Sequence, residues 1–370
     1  MMKENPFGLG FGLMRLPKGP DGSIDIPQVT EMADRFIAAG GTYFDTAYVY
    51  DNGASEEAFR KAVADRYPRS AYTIATKLNA WLQCTDEASA KQQFYTSLER
   101  TGVGYFDYYL LHAIQRNNHT LYDEYHLWDF IAEQKAKGLI RKWGFSFHAD
   151  PVLLEELLTR HPDLDIVQLQ FNYADWENPG VASRKNWEIC KAHGKPVVVM
   201  EPIKGGILAD PIPAVREILE GSGLRRSPAS WALRFVLSQE NILAALSGMS
   251  DLAQMDDNLA TVRDFSPMDE AELEVIRWAQ EALNADKSIP CTGCHYCTEG
   301  CPMQIPIPEV FTVENRSKGS PHFRIVREYN VVTQGRGKVS ECLQCGQCEG
   351  ACPQHLPIMS LLEKCRYMET

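Results

Sequence analysis

Long apolar runs are missing from this chain. Nothing approaches the ~18 uninterrupted apolar residues of a membrane helix, and the longest candidates are short stretches at 196–200 and 242–247. No membrane span is expected. Positive charge is scarce as well: 37 Lys and Arg face 49 Asp and Glu, a net charge of −12. That is the wrong sign for a phosphate-backbone or anionic-lipid binder, so nucleic acid is not an expected partner. Residues 1–6 lack the apolar centre of a signal peptide, and we expect a soluble, cytoplasmic protein whose thiols stay reduced. At ~150 residues per domain, 370 residues admit two or three domains, or one α/β barrel with an appendage.

Cysteine is nearly absent from the first 287 residues, which hold only Cys84 and Cys190, while the other nine of 11 follow Ile289. Charge changes at the same place. Residues 288–370 carry 8 basic and 8 acidic side chains, so the preceding 287, with 29 against 41, hold the whole excess. Two regimes of composition imply two domains, expected at 1–285 and 286–370.

Before residue 288, short β-branched or aromatic runs alternate with stretches of helical period, the signature of repeated strand–helix units. Eight strands are expected, at 9–13, 42–45, 73–77, 106–111, 140–146, 166–170, 196–200 and 243–247. Between the first two, 28–39 reads as a helix stopped by Gly40-Gly41, and Asp150-Pro151 reads as a helix start. Periodicity alone also fits an open doubly wound sheet. The barrel is favoured because Asp45, Lys77, His112, Ser146 and Gln168 fall at the C-terminal ends of different expected strands, where a (β/α)8 barrel puts its active site.

The run Phe44-Asp45-Thr46-Ala47-Tyr48-Val49-Tyr50, followed by Asn52-Gly53-Ala54-Ser55-Glu56-Glu57, resembles the motif of the aldo/keto reductase family. Thr76-Lys77, Asp107-Tyr108-Tyr109-Leu110-Leu111-His112, Gly144-Phe145-Ser146 and Gln168-Leu169-Gln170-Phe171-Asn172-Tyr173 resemble its later strand ends, in order, over roughly residues 5–280. The resemblance implies a (β/α)8 TIM barrel and a catalytic tetrad of Asp45, Tyr50, Lys77 and His112. Chemistry explains the grouping. A carbonyl that receives hydride develops negative charge on oxygen and needs a proton donor within reach. Tyr50 would be that acid; a phenol ordinarily titrates near ~10, and an ammonium such as Lys77 eases its ionisation. Asp45 would hold Lys77, and His112 would orient the carbonyl oxygen.

The resemblance also implies a nicotinamide cofactor, its carboxamide held by Ser146 and Gln168. The aromatic that stacks on the ring in this family is missing; its position holds Met200, whose thioether can still cover an aromatic face. The family's adenosine-binding segment begins after the eighth strand and here includes Asn258, assigned to the cofactor. This segment has no Lys or Arg between Arg234 and Arg263 but does have Asp256 and Asp257. A 2′-phosphate needs cationic partners, so the cofactor is NADH or NADPH, without expected NADPH selectivity; Lys204 is the cation available from elsewhere. Trp81, Tyr173 and Trp176 are candidates for lining a substrate pocket, with loop packing as the competing role.

After the barrel, Cys291-Thr-Gly-Cys294-His-Tyr-Cys297-Thr-Glu-Gly-Cys301-Pro and Cys342-Leu-Gln-Cys345-Gly-Gln-Cys348-Glu-Gly-Ala-Cys352-Pro both read C-x2-C-x2-C-x3-C-P. This is the spacing with which bacterial-type ferredoxins bind two 4Fe–4S clusters, the fourth cysteine of each run crossing to the other cluster. Cys291, Cys294, Cys297 and Cys352 are assigned to one cluster, and Cys342, Cys345, Cys348 and Cys301 to the second. Paired C-x2-C motifs also make zinc sites, but the third cysteine and terminal Cys-Pro, twice over, exceed what zinc uses. The 40 residues between Cys301 and Cys342 include a turn at 316–320 and a helical stretch at 321–332, resembling the α-helical ferredoxin-like domains attached to larger redox enzymes. His295, His355 and Cys365 lie outside the ligand pattern.

The leading expectation is an oxidoreductase that reduces an aldehyde or ketone, or oxidises the alcohol, joined to a two-cluster electron-transfer domain. The alternative is an iron–sulfur protein, serving a ferredoxin or flavoprotein partner, whose barrel is a scaffold.

Overall fold

The computed structural model describes residues 5, 7–317 and 320–370. The signal-peptide reading at 1–6 and positions 318 and 319 of the expected turn lie outside the described residues, apart from Asn5. Eight parallel strands close into a barrel in chain order: β1 Leu9–Gly12, β2 Tyr43–Asp45, β3 Thr73–Leu78, β4 Phe106–Ile114, β5 Ile140–Phe147, β6 Ile166–Gln170, β7 Val197–Met200 and β8 Ile242–Ser247. The ring closes where Leu9 and Gly10 of β1 pair with Ala245 and Leu246 of β8.

Parallel strands covered on both faces must be apolar throughout, and all nine residues of β4 are buried. Tyr43, Tyr108, Leu110, Ile166, Val198 and Leu246 pack together at the centre, so the barrel is filled rather than hollow. A Cβ at Gly144 would lie 1.9 Å from the Ile166 carbonyl oxygen, and only glycine lets β5 and β6 approach there. β4 runs three residues beyond its expected end. Its register shifts between Leu111 and Ile114, where Ala113 has a φ of 54°, and such bulges re-aim side chains. His112 sits in this irregularity.

The helix Ile26–Ala38 starts where Asp25 accepts from the Gln28 N–H and ends just before Gly40, whose φ is 97°. It buries Val29, Met32, Ala33 and Phe36, the i, i+3, i+4, i+7 stripe of an amphipathic helix. Asp150 caps Pro151–Arg160 by accepting from the Val152 and Leu153 N–H groups. No helix among the described residues is long and apolar enough to cross a membrane.

The chain divides into two compact units: one runs up to Ile203 and resumes over Leu208–Ala279, and the other comprises Lys204–Ile207 and Gln280–Thr370. All eight strands belong to the first unit. The second is helical among its described residues, with Ile307–Ser317, His322–Val332 and Ile358–Cys365 as its longest helices after Ala285. Ile305, Val310, Phe311, Tyr329, Leu362 and Met368 form its core, together with the cysteines Cys297, Cys348, Cys352 and Cys365. Tyr329 ties distant parts of this unit, donating to Glu369 at 2.8 Å and accepting from the Val339 N–H at 2.9 Å.

Candidate active site and cluster-binding thiols

The strand ends converge on a buried acid–base group. Asp45 ends β2, Lys77 lies near the end of β3, and His112, Ser146 and Gln168 sit late in β4, β5 and β6. Lys77 is wholly buried; its ammonium donates to Asp45 Oδ1 at 2.5 Å and to the Thr46 carbonyl at 2.6 Å. Gln168 Nε2 donates to the other Asp45 oxygen at 3.1 Å. Tyr50 is half-buried beyond β2, with Lys77 Nζ 5.0 Å from its ring centre. The His112 ring stands edge-on to it, 5.7 Å between centroids.

Local sequence shapes the turn that presents Tyr50. Asp51, Asn52 and Gly53 take left-handed φ of 49°, 53° and 94°, a region that Asp and Asn tolerate better than other side chains. Lys18 pairs with Asp51 at 2.6 Å, and Gln83 donates to Asn52 at 3.1 Å. Behind the turn lies Glu56, fully buried, accepting from Thr76 Oγ1 at 2.7 Å and facing Arg100 Nη1 at 3.4 Å. Arg100 in turn covers the Tyr48 ring at 4.4 Å and donates to the Tyr48 carbonyl at 3.1 Å. Glu56 stands in the sequence motif, yet its burial and its pairing with Arg100, 44 residues away, had no sequence signal.

Burial dominates the electrostatics. It pushes the Lys77 ammonium down and the Asp45 carboxyl up, while their mutual attraction opposes both shifts. Glu56 adds a second negative charge that favours charged Lys77. Burial, then the Lys77 and His148 charges, hold His112 well below the ordinary imidazole range. The site therefore sets a phenol beside an ammonium and a neutral imidazole, a set able to give a proton to an oxygen and to hydrogen-bond it.

The residues expected at the cofactor are also placed. Ser146 and Gln168 are paired neighbours across β5 and β6, both buried, and Ser146 Oγ accepts from the Ala113 N–H at 2.7 Å. Met200 ends β7, half-buried. Asn258 is buried and donates to Ser247 Oγ at 2.7 Å. The helix Leu252–Arg263 is capped by Asp251, whose carboxylate accepts from the Gln254 N–H at 2.8 Å. Asp256 pairs instead with Arg35, and Asp257 accepts from Ser227 at 2.7 Å. Lys204 donates to Gln354 at 3.1 Å, a neighbour that the phosphate role suggested for it did not foresee. Tyr173 is fully buried, its ring 6.1 Å from Phe235. Trp176, half-buried, packs against Phe171, Trp187 and Phe235.

In the second unit the cysteines stand around two cavities. Cys291, Cys294, Cys297 and Cys352 line one, beside Thr292, His295 and Gln354. Cys301, Cys342, Cys345 and Cys348 line another, among Pro302, Met303, Leu343 and Met359. Each cavity thus takes three thiols from one motif and the fourth from the other. Ile307 lines both. Eight thiolates around two mainly apolar cavities fit the ligand demand of two polynuclear clusters. Burial pushes the Cys348 thiol up to about 11, so binding an iron centre there must displace protons. His295 lies on a cavity wall, Cys365 is buried in the core, and His355 is exposed.

Comparison with known proteins gives two matches along the chain. The Aldo/keto reductase family matches residues 8–279, and the 4Fe-4S dicluster domain matches residues 290–356. The chain is 24% identical to the uncharacterized oxidoreductase YqkF of Bacillus subtilis (strain 168), over 68% of this chain and 85% of that protein. It is 29% identical to an aldo-keto reductase of Mycolicibacterium vanbaalenii, over 57% of this chain and 70% of that one. Of solved structures, the aldo-keto reductase AKR11C1 from Bacillus halodurans, holo form, matches with a TM-score of 0.59 and 24% identity, over 74% of this chain and 91% of its own. An aldo-keto reductase from Klebsiella pneumoniae in complex with NADPH matches with a TM-score of 0.59 and 20% identity over the same shares. At such identities the structural likeness speaks for the barrel fold.

Proposed function

The chain belongs to the aldo/keto reductase family, and from that premise we propose that its barrel reduces an aldehyde or ketone to the alcohol, or runs the reverse, with Tyr50 as the acid. The carbonyl carbon takes a hydride, the C=O π electrons move onto oxygen, and the Tyr50 hydroxyl gives that oxygen its proton. Lys77 stabilises the phenolate left behind, and Asp45 and Glu56 keep Lys77 charged in a buried site. His112, neutral, hydrogen-bonds the carbonyl oxygen and so selects the face presented to the hydride. The observation that carries this reading is the convergence of Tyr50, His112 and the Asp45–Lys77 pair from three strands and one turn.

Bound, a reduced nicotinamide supplies the hydride, and clusters in the second unit supply one-electron storage. Ser146 and Gln168, side by side and buried, fit a carboxamide, Met200 covers the ring, and Asn258 belongs to the adenosine end. The Klebsiella relative binds NADPH, but here a carboxylate, Asp251, caps the helix Leu252–Arg263 and no Lys or Arg occurs in 235–262. A helix N-terminus occupied by a carboxylate disfavours a phosphate, which supports NADH at least as well as NADPH. The two thiol quartets support two 4Fe–4S clusters, Ile307 between them, and we keep 1–285 and 286–370 as the functional division, in a reducing cytoplasm. Cys345 and Leu343 are exposed, which favours a second reading, electron exchange with a ferredoxin or flavoprotein at that quartet.

The test is Tyr50→Phe in the full chain carrying its clusters. Carbonyl-dependent oxidation of NADH or NADPH falls by a factor of about 10² to 10⁴, with iron content unchanged. Activity equal to the parent's would refute Tyr50 as the acid. An active parent is the precondition; a parent inactive with aldehydes and ketones, yet reducing a ferredoxin, points to the second reading.

A further inference from the structure

The second unit holds a buried cation with no part in the scheme above. Lys204 is 5% exposed and belongs to the segment Lys204–Ile207, grouped with Gln280–Thr370. Its ammonium donates to Gln354 Oε1 at 3.1 Å, and Gln354 lines the cavity ringed by Cys291, Cys294, Cys297 and Cys352. Backbone shape holds it there. Lys204, Gly205 and Gly206 take successive left-handed φ of 48°, 64° and 100°, unfavourable for a lysine. A Cβ on Gly205 would come within 2.6 Å of the carbonyl oxygen of Thr292, and Thr292 follows Cys291 and lines the same cavity. Neither cavity has a Lys, Arg, Asp or Glu in its lining among the described residues, and Gln354, the partner of Lys204, lines only the one ringed by Cys291, Cys294, Cys297 and Cys352.

We propose that Lys204 raises the reduction potential of the cluster held by Cys291, Cys294, Cys297 and Cys352, biasing an electron shared between the two clusters toward that one. Reduction adds one negative charge to a cluster, and a buried, poorly screened cation one side chain behind the cavity stabilises the reduced form more than the oxidised form. Gln354, which lines the cavity, holds the ammonium one side chain behind the cavity wall. The proposal rests on the reading that the eight thiols hold two clusters.

The experiment is an anaerobic potentiometric titration, followed by electron paramagnetic resonance, of the full-length reconstituted protein. The parent is compared with Lys204→Gln, Lys204→Met and Lys204→Arg, with iron and sulfide counted per chain. In both neutral variants one midpoint potential falls, by about tenfold in the oxidised-to-reduced ratio, ~59 mV for a one-electron couple. The other potential stays, and Lys204→Arg keeps the parent's value. Unchanged potentials in a neutral variant with full iron overturn the proposal. Loss of iron from both neutral variants also overturns it, assigning Lys204 to packing. A parent chain that assembles no cluster fails at the first step and sinks the cluster reading itself, an outcome distinct from the other two.

Discussion

The two units solve the problem of a stable interior in opposite ways. The first buries large side chains on every strand, and its reactive residues are a small polar group set into an apolar frame that is complete without them. The second has a modest core in which cysteines are themselves members, Cys297, Cys348 and Cys352 packing with Phe311, Leu362 and Ile358. Its eight candidate ligands also line two cavities. On the proposed reading the barrel's function is an addition to its stability, whereas in the second unit cluster binding and folding are coupled.

The sharpest way to break this comparison is to take the iron away. Chelation under reducing conditions, or the double change Cys294→Ser and Cys348→Ser, is expected to unfold the second unit. Far-ultraviolet circular dichroism loses helix and limited proteolysis cuts within 286–370, while the barrel keeps its own cooperative transition. Equal protease resistance with and without iron would show that the small core suffices alone. The converse change is Phe36→Ala. Phe36 is fully buried with its ring 5.3 Å from that of Phe44, and truncation costs about 3–5 kcal/mol, read by urea denaturation of the barrel transition, with cluster absorbance in native conditions unaffected.

The smallest effect is one of pH. His112 is buried and its folded pKa lies well below 6.5, so on acidification the unfolded chain takes up a proton before the folded one does. Above the unfolded pKa neither form is protonated and this residue adds no pH dependence. As pH falls below about 6.5, the barrel loses up to ~1.4 kcal/mol per pH unit from this group until the folded pKa is reached. His112→Gln should flatten that part of the barrel's stability profile between pH 6.5 and 5; an unchanged slope would remove His112 as its source.

Much of the architecture was legible because its signals are local or periodic. All eight strands fall where alternation placed them, since a parallel barrel strand is a short apolar run bounded by turns, and the helix start at Asp150-Pro151 is a cap chemistry written in two letters. β4 was read too short because nothing in His112-Ala113-Ile114 announces that Ala113 will turn left-handed and let pairing resume. The sequence leaves two roles open for Tyr173 and Trp176 for a related reason: an aromatic near a strand end reads the same whether it faces the mouth or the packing layer behind it.

The sequence by itself determined the two thiol patterns, whose spacing brings three ligands together within one short loop, and the order of strands that carries Asp45, Lys77 and His112 to one end of a barrel. Only the tertiary structure decided what those side chains meet. Lys77 reaches Asp45 and Thr46 because parallel pairing sets β2 beside β3. Glu56 finds Arg100 only once a turn and a distant helix are packed together. The Lys204 ammonium meets Gln354, 150 residues along the chain. A charged side chain is attracted to whatever folding places within a few ångströms, and sequence distance carries no information about that neighbour.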